Sequence, residues 1–320
     1  MTQSDSSNTD NLMTGGRSPL EKTLDNGFKW LTFAFALSIG LILISVAIII
    51  AVGAFPAIKQ FNFGFFTNSN WNPVTDEYGV IAVVYGTIVS SLIALIIAIP
   101  LGVGAAVFLS EDFIPDQIRT VLVFLVELLA AIPSVVYGLW GIFVLIPITT
   151  VFGTWLHGNF GWFPLFSSEP AGPGMLPAGI VLSIMVLPII IAISRDSLAS
   201  LPPDLRQASL GLGATRWETI FRVLIPAAIS GIMGGVMLAL GRAMGETMAA
   251  TMIIGNSNRL SISILDPANT IASLIANQFA EASGLQISAL MYAGLVLMLL
   301  TLIVNILAEY IVNQVKAKYE

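Results

Sequence analysis

Long apolar runs alternate with polar stretches along the whole chain, and that alternation predicts its elements. Six runs stand out, at about 30–55, 81–109, 119–148, 175–194, 224–254 and 286–312. A helix that crosses a bilayer needs about 20 mostly apolar residues. The pattern therefore predicts an all-α polytopic membrane protein with about six transmembrane helices. Pro100 and Pro133 fall inside the second and third runs and predict kinks or tilts, with neighbouring helices satisfying the freed carbonyls. Residues 1–29 are polar and predict a short disordered tail. The first run, 30–55, exceeds the roughly 7–15 residues of a cleavable signal's apolar region and predicts a first transmembrane helix. Residues 56–80 then form a loop, 81–312 the main transmembrane domain, and 313–320 a second tail.

Basic residues are unevenly placed between the runs. With the N-terminus inside, the inner segments hold ten: Arg17, Lys22, Lys29, Arg119, Arg195, Arg206, Arg216, Arg222, Lys316 and Lys318. The outer segments hold only Lys59 and Arg259. Lys and Arg accumulate on the cytoplasmic side of membrane proteins, so both termini are predicted to be cytoplasmic. The outer segments 56–80 and 149–174 are rich in Gly, Pro, Asn and aromatic residues, and Trp140, Trp155 and Trp162 suit a headgroup belt. Thr270–Ala282 reads as a helix lying on the outer face. These loops serve either as lid and anchor or as a docking surface for an external partner.

Composition narrows the class. The 320 residues are 56% hydrophobic and 10% charged, with mean hydropathy +0.89. A soluble domain carries about 25% charged residues, so membrane lipid surrounds this chain. A net charge of −6 argues against a nucleic-acid partner. Cysteine is absent, which excludes disulfides and thiolate chemistry. His157 is the single histidine, so a histidine-based metal site or catalytic triad is not expected. No catalytic residue, metal or cofactor is predicted.

One polar island, Arg195–Arg222, interrupts the apolar pattern and leads into Val223-Leu224-Ile225-Pro226. Pro202-Pro203 breaks the chain, and Asp204 is placed to cap a helix at Leu205. Leu205, Ala208 and Leu212 give that helix a modest apolar face. Gly211 and Gly213 interrupt it, since glycine takes the left-handed conformation at no steric cost. A second amphipathic stretch, Thr215 to Leu224, puts Trp217, Ile220, Phe221 and Leu224 on one face, and Pro226 sits in the first turn of the next span. Two readings stand at this point. The island lies in the headgroups with its arginines on anionic lipid, or it is a helix-turn-helix knob seated in a soluble partner.

The fifth run carries two charges, Arg242 and Glu246. A charge at the bilayer centre costs about 2.5–3.5 kcal/mol on insertion scales. Their i, i+4 spacing places them on one helix face, where they can pair. Either they form a structural ion pair in a helix bundle, or Arg242 meets an anion in a pathway, its planar fork suiting phosphate oxygens, with Glu246 holding the empty site. Gly231, Gly234, Gly235, Gly241 and Gly245 recur along the run and favour close helix packing. Glu127 in the third run is a further intramembrane charge with the same two readings.

Motif spacing then points to a family. Gln207-Ala208-Ser209, Gly213 and Pro226 have the spacing of the coupling loop of ATP-binding-cassette importer permeases, with Gln207 and Ser209 in place of its usual Glu and second Ala. Tyr85-Gly86-Thr87, Glu127 to Gly138, and Gly241 to Ala249 resemble the phosphate permeases of that family, over about residue 56 to the C-terminus. The resemblance implies a type I importer permease fold in the inner (plasma) membrane and phosphate as the substrate. It implies that the 195–226 loop, through Gln207, Ala208, Ser209, Gly213 and Pro226, seats in an ATPase subunit. It implies as partners a second permease subunit, an ATPase subunit dimer and a phosphate-binding protein. Arg242, Glu246 and Glu127 are then the candidate pathway residues. None of the five lysines follows a glycine, so the chain has no G-x-x-x-x-G-K-[ST] phosphate cradle and ATP must bind elsewhere. The alternatives are a permease for sulfate or molybdate, a proton-coupled secondary transporter, and a receptor or scaffold without transport.

Overall fold

The computed structural model describes residues 19–319. The polar tail through residue 18, with Arg17, and the side chains of Lys22, Lys316 and Lys318 lie outside the described residues. Among the described residues, six helices are long and apolar enough to cross a membrane: Thr23–Phe61, Ile81–Ser110, Ser134–Phe160, Met175–Ala199, Arg216–Gly245 and Leu285–Gln314. The number agrees with the apolar pattern, while two of the ranges do not.

The chain divides into two units at Gly53. The first contains most of α1 (Pro19–Phe61), so the helix begins inside the stretch expected to be tail. None of its apolar window is buried, as suits a lipid-facing helix.

The second unit runs from Gly53 onward and is built on long helices. After the end of α1 come the short α2 (Gly64–Thr67) and a two-residue hairpin, β1 (Trp71–Asn72) with β2 (Glu77–Tyr78), paired antiparallel. Their aromatic residues make a small core: Phe65 is fully buried and stacks on Tyr292 at 4.2 Å between ring centres. The loop expected over 56–80 is thus partly helical and packed. Burial pushes the Tyr78 hydroxyl up to about 12, with the Asp76 carboxylate that accepts its hydrogen bond adding to the effect.

Next come α3 (Ile81–Ser110) and α4 (Asp116–Ala131). The chain then breaks at Ile132-Pro133, both extended, and resumes as α5 (Ser134–Trp140), a π-helical turn at Gly141–Leu145, and α6 (Ile146–Phe160). The third apolar run is therefore two helices, and its spanning part is 134–160 rather than 119–148. Pro133 cannot donate to the helical ladder, and the residue before a proline is pushed out of the α region. That is enough to end α4, and no kinked continuous helix survives.

α7 (Met175–Ala199) packs most extensively on α3, with Gly102 close against Ile190 and Gly179 against Ile93. The island follows as α8 (Pro203–Gly211) and α9 (Arg216–Thr219). A π-helical turn at Ile220–Leu224 joins α9 to α10 (Ile225–Gly245). Each π turn ends just before a proline, Pro147 in α6 and Pro226 in α10. A proline ring clashes with the carbonyl four residues back. Widening the preceding turn, so that Ile146 and Ile225 bond five residues back to Gly141 and Ile220, keeps each helix continuous through it.

α10 stops at Gly245, Glu246 is extended, and a separate α11 (Met248–Ile253) follows. The fifth run, expected over 224–254, is thus also interrupted. α12 (Ile271–Gln278) falls within the predicted Thr270–Ala282 stretch, and α13 (Leu285–Tyr319) carries the helix through residues expected to be tail. The connections around residues 62–80, 161–174 and 254–284 gather at one end, through Trp71 Nε1 donating to Gln278 at 2.7 Å and Ile264 N–H donating to Leu165 at 3.0 Å. The island and the α3–α4 turn form the other end.

Candidate functional site

The island is built from local signals. Pro202 is the N-cap of α8 and Pro203 occupies its first position, so Asp204 lies in the first turn rather than capping it. Its carboxylate still suits the positive end of the helix. Only Gly213 takes the left-handed conformation, with φ +86°, while Gly211 closes α8 as an ordinary helical residue. α9 then opens with a reciprocal cap. Glu218 N–H donates to Thr215 Oγ1 at 3.3 Å, and Thr215 N–H donates to Glu218 Oε2 at 2.9 Å. The Thr-x-x-Glu spacing is the sequence signal for that cap, and an amphipathic reading of 215–224 misses it.

The two faces of the island differ from expectation. Ile220 and Leu224 are buried, but Trp217 and Phe221 stay exposed, so the four do not share one surface. Trp217 and Phe221 instead border an apolar groove of about 780 Å³ with Phe108 and Phe113. No residue of α8 is buried, and Leu205, Leu210 and Leu212 point outward, Leu212 being 90% exposed. Gln207 and Ala208 are exposed, and among the described residues the Gln207 side chain makes no hydrogen bond. Ser209 shares a hydrogen bond of 2.9 Å with Thr219, which ties α8 to α9. Pro226 is partly buried behind the π turn. The five loop residues are thus one exposed helix, its turn and the start of the next span.

The charges sit elsewhere and in a different arrangement. Arg242 lies in the last turn of α10, just before the helix breaks at Glu246. There the helix's carbonyl end favours a cation. Arg242 is exposed and, among the described residues, has no ion pair or hydrogen bond; the Tyr137 hydroxyl is within range of its charge. Glu246 does not pair with it. The helix ends at Gly245, which removes the i, i+4 relation, and Glu246 Oε1 accepts from Ala249 N–H at 3.2 Å at the start of α11. Glu127 is exposed on α4, which buries none of its residues, and it too has no ion pair among the described residues. The structure therefore brings none of the three together as a pair.

The breaks explain the motifs around them. Tyr137 donates to Leu129 at 2.9 Å across the Ile132-Pro133 break. Gly138 and Gly141 let α5 and its π turn approach Met252 and Ile253 of α11, where a Cβ would lie 2.5 Å and 2.3 Å from those side chains. Tyr85-Gly86-Thr87 holds the far connection: Tyr85 donates to Ile262 at 3.0 Å, Thr87 Oγ1 accepts from Ile271 N–H at 3.0 Å, and a Cβ at Gly86 would come 2.1 Å from Asn269 O. The glycines of α10 divide. Gly231 meets Ser197 and Gly235 meets Ile193, but Gly234, Gly241 and Gly245 face open space. With Leu238, 62% exposed, and Arg242, they form one open face at i, i+4 and i+7 spacing.

The chain resembles known proteins in both sequence and fold. Residues 98–317 match the family described as binding-protein-dependent transport system inner membrane component. The chain is 44% identical to the phosphate transport system permease protein PstC of Mesorhizobium japonicum, over 91% of this chain and 90% of that protein. It is 41% identical to PstC of Haemophilus influenzae, over 95% of this chain and 98% of that protein. Among solved structures, a bacterial ABC transporter that imports the polysaccharide alginate superposes with a TM-score of 0.55 at 15% identity, over 93% of this chain and 99% of that one. The inward-facing MetNI methionine ABC transporter gives 0.52 at 18% identity, over 74% and 94%. At that identity the likeness concerns the fold, which is that of importer permeases. The chain belongs to the family of binding-protein-dependent transport system inner membrane components.

Proposed function

We propose that this chain is a permease subunit that carries inorganic phosphate into the cell, driven by ATP hydrolysed in a separate subunit. The observation that carries the reading is Arg242, an exposed guanidinium without an ion-pair partner among the described residues, on the open face of α10. An arginine inside a bundle is normally paired. Left free beside small residues, it meets an anion passing along that face. A second permease subunit covers the same face, because Gly234, Gly241 and Gly245 leave room for a helix that the described residues do not supply. The named relatives supply phosphate as the anion.

The island end lies in the cytoplasm with both termini, in keeping with the distribution of Lys and Arg. The outward leucines of α8 and the unpartnered Gln207 seat in the ATPase dimer. The opposite end faces outward and receives the phosphate-binding protein. A polar cavity of about 720 Å³ there, lined by Asn70, Asn72, Asn258 and Arg259, offers hydrogen-bonding groups to that partner. Closure of the ATPases moves α8 and α9, and the helices rock between inward- and outward-open states. The breaks at Ile132-Pro133 and Glu246-Thr247 are where α4 and α10 change direction most easily.

The test is uptake of labelled phosphate by the assembled importer in proteoliposomes. Uptake requires ATP and the ATPase subunit, persists with a proton uncoupler, and is not competed by equimolar sulfate or molybdate. Competition by either oxyanion reassigns the substrate, and uncoupler-sensitive uptake without the ATPase points to a secondary transporter.

A further inference from the structure

The α8 half of the island is exposed, so polar contacts must tie it to the membrane helices. α8 buries none of its residues. Besides the Ser209–Thr219 bond to α9, its side-chain hydrogen bonds to the body among the described residues come from Arg206. The guanidinium Nη2 donates to Glu111 Oε1 at 2.9 Å and to Leu198 O at 3.1 Å, and Nε donates to Glu111 Oε1 at 3.1 Å. The side chains are only 24% and 12% exposed. Arg206 thus joins α8 to the residue that caps the end of α3 and to the last turn of α7.

The same short segment is held from two further sides. Arg119 of α4 donates to Glu111 O and Asp112 Oδ1, both at 3.2 Å. Arg216 of α9 donates to Asp112 O at 3.0 Å and lies 5.0 Å from the centre of the Phe113 ring. Three arginines, one each from α8, α9 and α4, therefore close on Glu111-Asp112-Phe113. A planar fork with several donors fixes direction as well as distance, which an ammonium does not.

We infer that this clasp is the mechanical link between the docking island and the rest of the permease. A push on α8 reaches the α3–α4 turn through Arg206–Glu111, and α4 carries it to the Ile132-Pro133 break. Arg206 and Glu111 are positioning residues: they touch neither phosphate nor ATP. The inference rests on the importer reading, and it locates the transmission in two residues outside the matched loop motif.

The experiment measures phosphate moved per ATP hydrolysed in the reconstituted importer, for wild type, Glu111→Gln, Arg206→Gln, the double variant and Arg206→Lys, alongside the ATPase that co-purifies. Each Gln variant is expected to lower the ratio by about tenfold, a usual size for coupling between distant sites, while co-purified ATPase stays unchanged. The double variant falls no further than the singles, since both act through one contact. Arg206→Lys keeps the charge, folds even if the Gln variants do not, and gives an intermediate ratio. A wild-type ratio in Arg206→Lys and in every Gln variant that accumulates overturns the clasp. So does a double variant whose loss is the product of the singles. Wild type that moves no phosphate overturns the importer reading instead, before any variant is compared.

Discussion

At the scale of single residues, Arg242 and Glu246 show how one backbone break reassigns two charges. The apolar run makes them i, i+4 neighbours, a spacing that predicts a pair. The helix ends between them, so Glu246 becomes an acceptor at the start of α11 and Arg242 is left alone. Glutamine keeps the acceptor oxygen and alanine removes it. Glu246→Gln is therefore expected to preserve the thermal stability of the purified assembly, and Glu246→Ala to lose about 1 kcal/mol, the usual value of one hydrogen bond. Equal losses in both would mean that the charge itself is needed and that the accepted hydrogen bond is not what Glu246 provides. The signals for the break are present in Gly241, Gly245 and Thr247. They are outweighed by an apolar run that continues on both sides, because hydropathy counts length and says nothing of continuity.

At the scale of elements, the sequence is most legible where local chemistry acts alone. The double proline, Gly213 and Pro226 are enough to outline the island, and α8 and α9 fall on either side of Gly213. Which face of each helix is buried is not legible, since that depends on neighbours distant in the chain. Leu205 and Leu212 read as a modest apolar face and point outward, while Ile220 and Leu224 go inward without Trp217 and Phe221. Gly213 is the most sensitive point. Its φ of +86° is closed to proline, and its N–H donates to Leu210 O at 3.0 Å. Gly213→Pro is expected to leave the transmembrane helices inserted and to uncouple ATP hydrolysis from transport. Wild-type ATPase binding together with wild-type uptake by that variant would count against the docking role of α8.

At the scale of the whole molecule, much of the surface makes sense only in an assembly. α4 buries nothing, α8 buries nothing, and three glycines of α10 face open space. A Cβ added at Gly241 meets no atom of a neighbouring element within 4 Å among the described residues. Gly241→Leu is accordingly expected to fold and insert, gaining about 1 kcal/mol of helix propensity, but to lose the co-purifying second permease. Retention of that subunit would move the interface to another face. The number of membrane helices and the family are legible from the apolar pattern and motif spacing. The open face is not, because a glycine that packs and one that waits for a partner look alike in a single sequence.

Transport, on this reading, turns on the free guanidinium of Arg242 meeting phosphate in transit. Arg242→Gln removes the charge and keeps a side chain that hydrogen-bonds, at a position with no ion pair to break. The decisive quantity is labelled phosphate uptake by the reconstituted Arg242→Gln importer, normalised to assembled complex. Uptake is expected at background, with insertion and assembly unchanged; uptake at the wild-type rate would remove Arg242 from the pathway.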